Sequence, residues 1–401
     1  MVIRWVLFPA LLAGFTAASA WSIRLAFADY WFGKQTVQGT ERALAWTPGQ
    51  ADCYVRLAFL TSSENRLTAT EALQRAVALN PSDARSWIEL GLRYEKEGNR
   101  MLAEQCLLRA AEEDRQYLPR WTLTNYYFRE TAINRFWFWA EKAAGMAYGD
   151  ASPLFRLCGQ VVEDGALIDR LNIRRPDLRA AYLSYLLSRN RLDLIRPASR
   201  HLLQGARATD VPLLLAVCDQ LLESKNAASA LETWNGLAAK HRIPFRPLQP
   251  AGGDVLTNGD FRVAATLHGF DWRLPAIDGV SASTDDRGGL RLTFSGRQPE
   301  NCEPLVQFVP VQENTDYQLK FEYWTSGIAA GSGLEWRITD WNGDKSLVDA
   351  HGRYTERDGS GKVVFVTPAG CHLARLALAY KRLPGTTRME GFIVLRKVSA
   401  R

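Results

Sequence analysis

The stretch "WIELGLRYEKEGNRMLAEQCLLRAAEED", Trp87 to Asp114, decides the fold of this 401-residue chain. It reads as a helix, a turn and a second, antiparallel helix. Small Gly91 and Ala103 let the two helices approach, while Trp87, Tyr94 and Leu107 fill the groove between this hairpin and its neighbours. One such hairpin cannot bury its own apolar face, so the pattern requires another beside it.

The period continues along the chain. Trp121 follows Trp87 by 34 residues, Phe128 takes the Tyr94 position, and Phe155 lies 34 beyond Trp121 with Gly159 where Gly91 repeats. Upstream, "YVRLAFL" from Tyr54 and "ATEALQRAVALNP" from Ala69 form an earlier copy, with Ala69, Leu73, Ala76 and the terminating Pro81 in register. Trp87, Leu90, Gly91, Tyr94, Ala103, Leu107 and Ala110 stand where the tetratricopeptide repeat carries W, L, G, Y, A, F and A, and the segment resembles that family. The resemblance implies a curved helical array whose concave surface holds a protein segment without catalysis.

Downstream, "AAYLSYLLSRNRLDLIRPASRHLL" and "VPLLLAVCDQLLESKNAASALETWNGLAAK" still read as helix, turn, helix. Ala230 and Trp234 keep their mutual spacing, but the first helices lack the W and G signals, which leaves the pairing of these degenerate repeats open. In "RFWFWAEKAA", Phe136, Trp137, Phe138 and Trp139 cannot all face one core, so at least one meets a neighbouring hairpin or a partner.

After "HRIPFRPLQPAGGD" the texture changes, with three prolines and two glycines ending the helices. In "YQLKFEYWT", Tyr317, Leu319, Phe321 and Tyr323 alternate with Gln318, Lys320, Glu322 and Trp324, giving one buried and one open sheet face. Further strands are expected at "LRLTF", "PLVQFVPV", "LEWRITDW", "KVVFVTP", "LARLALAY" and "EGFIVLRKV". About eight strands in this span point to an antiparallel jelly-roll sandwich.

The order of features, an opening "NGDF", a W-containing segment, a V-x-V strand and "ENTDYQLKFEYW", is similar to galactose-binding-like carbohydrate-binding modules from Val255 to Arg401. That resemblance implies a polysaccharide ligand, with Asp271, Trp272, Arg273, Trp324, Trp336, Arg337, Asp340 and Trp341 as candidate contacts. Trp336 and Trp341 have opposite strand parity, so only one of them faces a ligand. In "GFDWRL" the competing reading has Trp272 and Phe270 plug one end of the sandwich while Asp271 pairs with Arg273 or a turn amide. "NGDF" itself reads as a turn launching the first strand, with Phe261 starting the core.

At the N-terminus an uncharged run from Trp5 to Ile23 follows Arg4 and ends at Arg24. Nineteen residues can span a bilayer as a helix, with Trp5 and Trp21 at interfacial positions. The alternative is a cleaved signal peptide, since Ala18-Ser19-Ala20 fits a cleavage site. The expected location is a bacterial inner membrane with the bulk in the periplasm or, after cleavage, a periplasmic or secreted protein.

The formal charge of +6 lies before Gln249, because 18 basic and 18 acidic residues follow it. Arg170, Arg174, Arg175, Arg179, Arg189 and Arg191 are the core of a basic stretch that reads as a solvated helical face or as a patch for an anionic partner such as a phosphorylated lipid carrier or acidic polysaccharide. A nucleic-acid partner is not expected. The six cysteines form no CxxC pair, so no metal is expected; Cys53, Cys106, Cys158 and Cys218 read as buried hydrophobes, and Cys302 with Cys371 as a pair that an oxidising compartment can join.

No GxSxG, Walker loop, HExxH or GxGxxG occurs, and nothing local marks Asp271 with Asp340 or Glu335 as the positioned carboxylate pair a glycosidase needs. The expectation is therefore a non-enzymatic, cofactor-free scaffold: membrane segment 1–24, tetratricopeptide-like α-solenoid 25–242, linker 243–253 and β-sandwich 254–401. A role in envelope or exopolysaccharide assembly fits this architecture. A purely structural scaffold with a non-binding sandwich is the alternative, and a glycan-active enzyme a further one.

Overall fold

The computed structural model describes residues 2–61, 66–162, 167–328, 331–351 and 358–401. Met1, where the expected membrane segment begins, lies outside them. Among the described residues, helices fill the chain to Ala239 and strands the part from Val280 onward. The helical part is tetratricopeptide-like and the strands form an antiparallel sandwich.

Among the described residues, the first compact unit holds 2–162 and 167–173. Its hairpins are α1 (Val2–Phe32) with α2 (Val37–Trp46), α3 (Ala51–Thr61) with α4 (Arg66–Leu79), α5 (Ala84–Lys96) with α6 (Arg100–Glu113), and α7 (Tyr117–Arg129) with α8 (Ile133–Met146). Short α9 (Ser152–Cys158) and α10 (Leu167–Arg170) follow. Local chemistry sets the boundaries: Asp83 caps α5 by accepting from Arg85 N and Ser86 N, and Asn99 caps α6 by accepting from Leu102 N.

The glycine at position 91 is a packing requirement. A Cβ there would stand 2.8 Å from Leu107 Cδ2 and 3.2 Å from the Ala103 carbonyl, so α5 and α6 can only be this close with none. Phe136 is fully buried, whereas Phe138 on the opposite side of α8 is 53% exposed, which is how the four successive aromatics divide.

The apolar N-terminal run is one continuous helix through Phe32, and Leu11–Phe32 is long and apolar enough to cross a membrane. At its end Ala28 is buried, Phe27 stacks on Trp46 of α2 at 5.1 Å, and the Arg42 guanidinium sits 4.3 Å from the Trp31 ring.

Among the described residues, the second unit runs from 174 to 401. It starts with α11 (Pro176–Ser188) and α12 (Leu192–Gln204), then α13 (Val211–Glu223) and α14 (Ala227–Ala239), each pair a hairpin despite its weak sequence signal. Ala230 and Trp234 are buried in α14.

The sandwich comprises β1 (Val280–Thr284), β2 (Leu290–Ser295), β3 (Asn301–Pro310), β4 (Asp316–Ser326), β5 (Leu334–Asp340), β6 (Lys345–His351), β7 (Gly359–Val366), β8 (Leu373–Lys381) and β9 (Glu390–Ala400). One sheet runs β1-β2-β9-β4-β7 and the other β3-β8-β5-β6, all neighbours antiparallel, which is jelly-roll order with β1 added at an edge. Trp272, Trp336, Leu319, Tyr380 and Ile393 fill the space between the sheets.

The segment from Val255 differs from expectation. "NGDF" is a turn, with Phe261 N donating to the Asn258 carbonyl and both residues at positive φ, but no strand follows until Val280. Gly269 and Leu267 also hold positive φ, and Arg273 meets Val306 only as an isolated bridge. A chain with left-handed residues this frequent cannot stay in a ladder.

Cys302 and Cys371 do not form a pair. Cys302 stands opposite Tyr380 at one end of the β3–β8 ladder, while Cys371 precedes Leu373 at the other, a separation of roughly 30 Å at about 3.3 Å per residue. Both thiols are free, as are the four helical ones, which are buried. Burial lifts Cys106 to about 11 and Cys158 to about 12, so neither is a reactive thiolate.

Candidate functional site

Residues of α3, α4 and α5, with Arg129 at the end of α7 and Phe32 at the end of α1, line a groove of about 970 Å³ in the first unit. Phe59 on α3 is 77% exposed at this face. Arg56 donates to the Phe32 carbonyl at 2.6 Å, with its guanidinium 3.5 Å from the Phe32 ring. Across the groove, Arg129 at the end of α7 grips Glu95 on α5 through two bonds of 2.7 and 2.8 Å. These two residues are one 34-residue repeat apart, so the ion pair links successive first helices.

Asp52, Arg85, Glu89 and Lys96 add charges of both signs around apolar Val55, Leu92 and Phe59. Such a lining offers hydrogen bonds to an extended backbone and pockets for apolar side chains. The sequence pattern points to the repeats but not to these residues, since the motif positions are those that pack hairpins together, not those that face outward.

In the sandwich, the candidate contacts fall into different environments. Trp272 is fully buried, stacked on Phe261 at 5.4 Å, and its indole donates to the Asn258 carbonyl at 3.0 Å. Trp336 is fully buried against Phe321. Neither ring has a face open to a sugar; Trp272 fills the sandwich core as the plug reading of "GFDWRL" expects, whereas Phe270 is buried against Trp234 of α14 instead.

Asp271 is buried and accepts from Thr266 N at 2.7 Å and Thr266 Oγ1 at 3.1 Å. Burial pushes its carboxyl above the ordinary range, against the bonds from Thr266, the Trp272 amide and Asn258. Asp340 is buried and accepts from Asn342 N. Arg337 bridges Glu335 at 2.6 Å and Glu303 at 3.4 Å.

Two of the candidates join the sandwich to α13 within the second unit. Arg273 pairs with Asp219 at 2.7 Å, and the Trp341 indole donates to the Leu222 carbonyl at 2.9 Å. Trp324 is different: it is half-buried on the open face of β4, edge-on to Phe392 with Arg287 5.8 Å from its ring.

No family model and no curated protein matches the chain. Among solved structures, part of the chain is similar to MamA, at 20% identity over 27% of this chain and 66% of that one, TM-score 0.26. It is also similar to YrrB, a TPR protein with a peptide-binding site, at 14% identity over 52% of this chain and 94% of that one, TM-score 0.26. A third similarity is to a carbohydrate-binding module, CBM4, at 13% identity over 36% of this chain and 98% of that one, TM-score 0.28. The fold itself rests on the hairpins and sheets described above.

The basic stretch divides between the two units. Arg170, in the first, stands 6.0 Å over the Trp137 ring. In the second, Arg175 pairs with Asp177 and Arg191 with Asp193, Arg179 donates to the His201 carbonyl, and Arg189 stacks over Tyr185, while Arg174 is exposed. The bonds to Asp177 and Asp193 hold those carboxyls below their usual range.

Proposed function

We propose that this chain is a non-catalytic scaffold whose helical repeats hold a segment of a protein partner while its sandwich touches glycan. The supporting observation is the groove along α3, α4 and α5, with exposed Phe59 beside charges of both signs. In this reading α1 anchors the chain in a bacterial inner membrane with the bulk in the periplasm, and the protein assembles envelope or exopolysaccharide machinery. The 22-residue apolar stretch supports the anchor.

A second reading keeps the sandwich purely structural. It is favoured by the burial of Trp272 and Trp336 and by the use of Arg273 and Trp341 as contacts to α13.

The test of the scaffold is a random peptide display against the detergent-solubilised full chain, repeated with Phe59→Asp and Arg85→Glu. Recovered peptides should lose at least tenfold in affinity on each variant while circular dichroism is unchanged. If peptides are recovered that bind both variants as well as the parent, the groove is not their seat and the reading fails.

A further inference from the structure

We propose that the open face of the five-stranded sheet holds an anionic polysaccharide in a trough built on Lys320, Lys362 and Lys397. The inference rests on the glycan reading above and names the ligand class and the residues that would take it.

Register brings these lysines together. Lys320 on β4 stands opposite Lys362 on β7 and Ser399 on β9; two residues along, Glu322 stands opposite Ser360 and Lys397. Leu319, Phe321 and Tyr323 are buried between the sheets, so the alternating positions 320 and 322 project from the outer face. The two rows line a trough of about 470 Å³. Ser360 and Ser399 are short, which leaves depth beside the long lysine chains.

The electrostatics set the ligand's sign. Lys320 and Lys362 are directly opposite on adjacent strands, an arrangement that disfavours the sheet unless something neutralises it. The ion pairs of the sandwich among the described residues run through other groups and leave these three lysines out. Three lysines against Glu322 leave the trough net positive.

Edge protection explains only one of them. β7 is the edge strand, where lysines guard against strand addition. β4 and β9 lie inside the sheet, and the edge itself exposes Val364 and Val366 at 57% each.

The remaining groups favour sugar over other polyanions. A carboxylate and two hydroxyls among the lysines match a ligand that carries hydroxyls as well as charges, since Glu322, Ser360 and Ser399 can bond sugar O–H groups. Trp324, the next outward residue of β4, lies beyond the residues that line the trough, half-buried on the same face with Arg287 over its ring. The trough is recessed, which suits a polymer strand and not a flat lipid surface.

The experiment titrates the full chain in neutral detergent with polygalacturonate and dextran sulfate, and with methyl-esterified polygalacturonate and dextran as uncharged counterparts. The expected result is saturable binding of a charged polymer, at least tenfold tighter than its neutral counterpart and weakened by salt. The Lys320→Gln/Lys362→Gln variant should lose tenfold or more while its thermal midpoint stays level or rises. Undiminished binding by that variant overturns the trough. Equal binding of charged and neutral polymers, lost in Trp324→Ala, overturns the anionic class but keeps the glycan reading; absence of binding to all four removes both.

Discussion

Asp219 on α13 holds Arg273 of the sandwich, 54 residues further along, through a 2.7 Å ion pair. The same carboxylate accepts from the Gly269 amide at 2.7 Å and lies 2.5 Å from His268 Nδ1. One helical side chain therefore organises three successive points of the loop that precedes the first strand. Beside it, Trp234 of α14 packs so closely on Gly269 that a Cβ there would lie 2.5 Å from the ring, and Gly269 also needs its φ of 58°.

The Asp219→Ala variant should lose about 1–3 kcal/mol. Arg273 and Asp219 are 21% and 23% exposed, which places the pair above a surface salt bridge and below a fully buried one. Urea unfolding and hydrogen exchange at the Gly269 amide check this. An unchanged midpoint with full Gly269 protection would show that the loop is held without the carboxylate.

Gly91→Val should destabilise the first unit by about 1–3 kcal/mol, because the added carbons enter the space of the Leu107 side chain. Adding Leu107→Ala should recover part of the loss, since the clash is pairwise. A double-mutant cycle by thermal unfolding reads the coupling, and strict additivity would mean that α5 and α6 had separated instead.

Trp272→Ala should cost about 3–5 kcal/mol, as expected for emptying a core aromatic site. Trp324→Ala should cost well under half of that, being half-buried on the open face. Comparing urea midpoints separates them. If Trp272→Ala unfolds at the parent's midpoint, the ring is not part of the plug.

Much of this architecture is legible in residue order, and the parts that are not have physical reasons. Trp87, Gly91 and Ala103 mark the hairpins because close helix packing restricts residue size. β4 is legible because it alternates strictly, whereas β1 is missed because "VSAST" carries almost no apolar signal and is nearly all exposed. Asp271 and Trp272 look like ligand contacts in sequence for the reason that they also make good plugs: an aromatic and an acid in a glycine-rich turn serve either use, and only burial separates them. Lys362 and Lys397 reach Lys320 through register across three strands, which no local pattern encodes.

Glu303 gives the sandwich a pH dependence of definite sign. Its burial favours the neutral form, but Arg375, hydrogen-bonded to it, and Arg337 at 3.4 Å outweigh that and hold its carboxyl below the ordinary value of 4.5. The unfolded chain then binds this proton more readily than the folded one, so stability rises with pH through the carboxylate range. The contribution is present above the ordinary glutamate pKa and is lost as pH falls through the depressed folded value. Across pH 3–6, about the window where glutamate titrates, the parent's urea midpoints should carry this climb, while buried Asp271, whose raised carboxyl contributes in the opposite sense, is common to parent and variant. Glu303→Gln should lower the midpoint at neutral pH and flatten that climb, because it leaves Arg375 and Arg337 facing an uncharged amide. An identical slope in the variant would assign the pH dependence to other carboxylates.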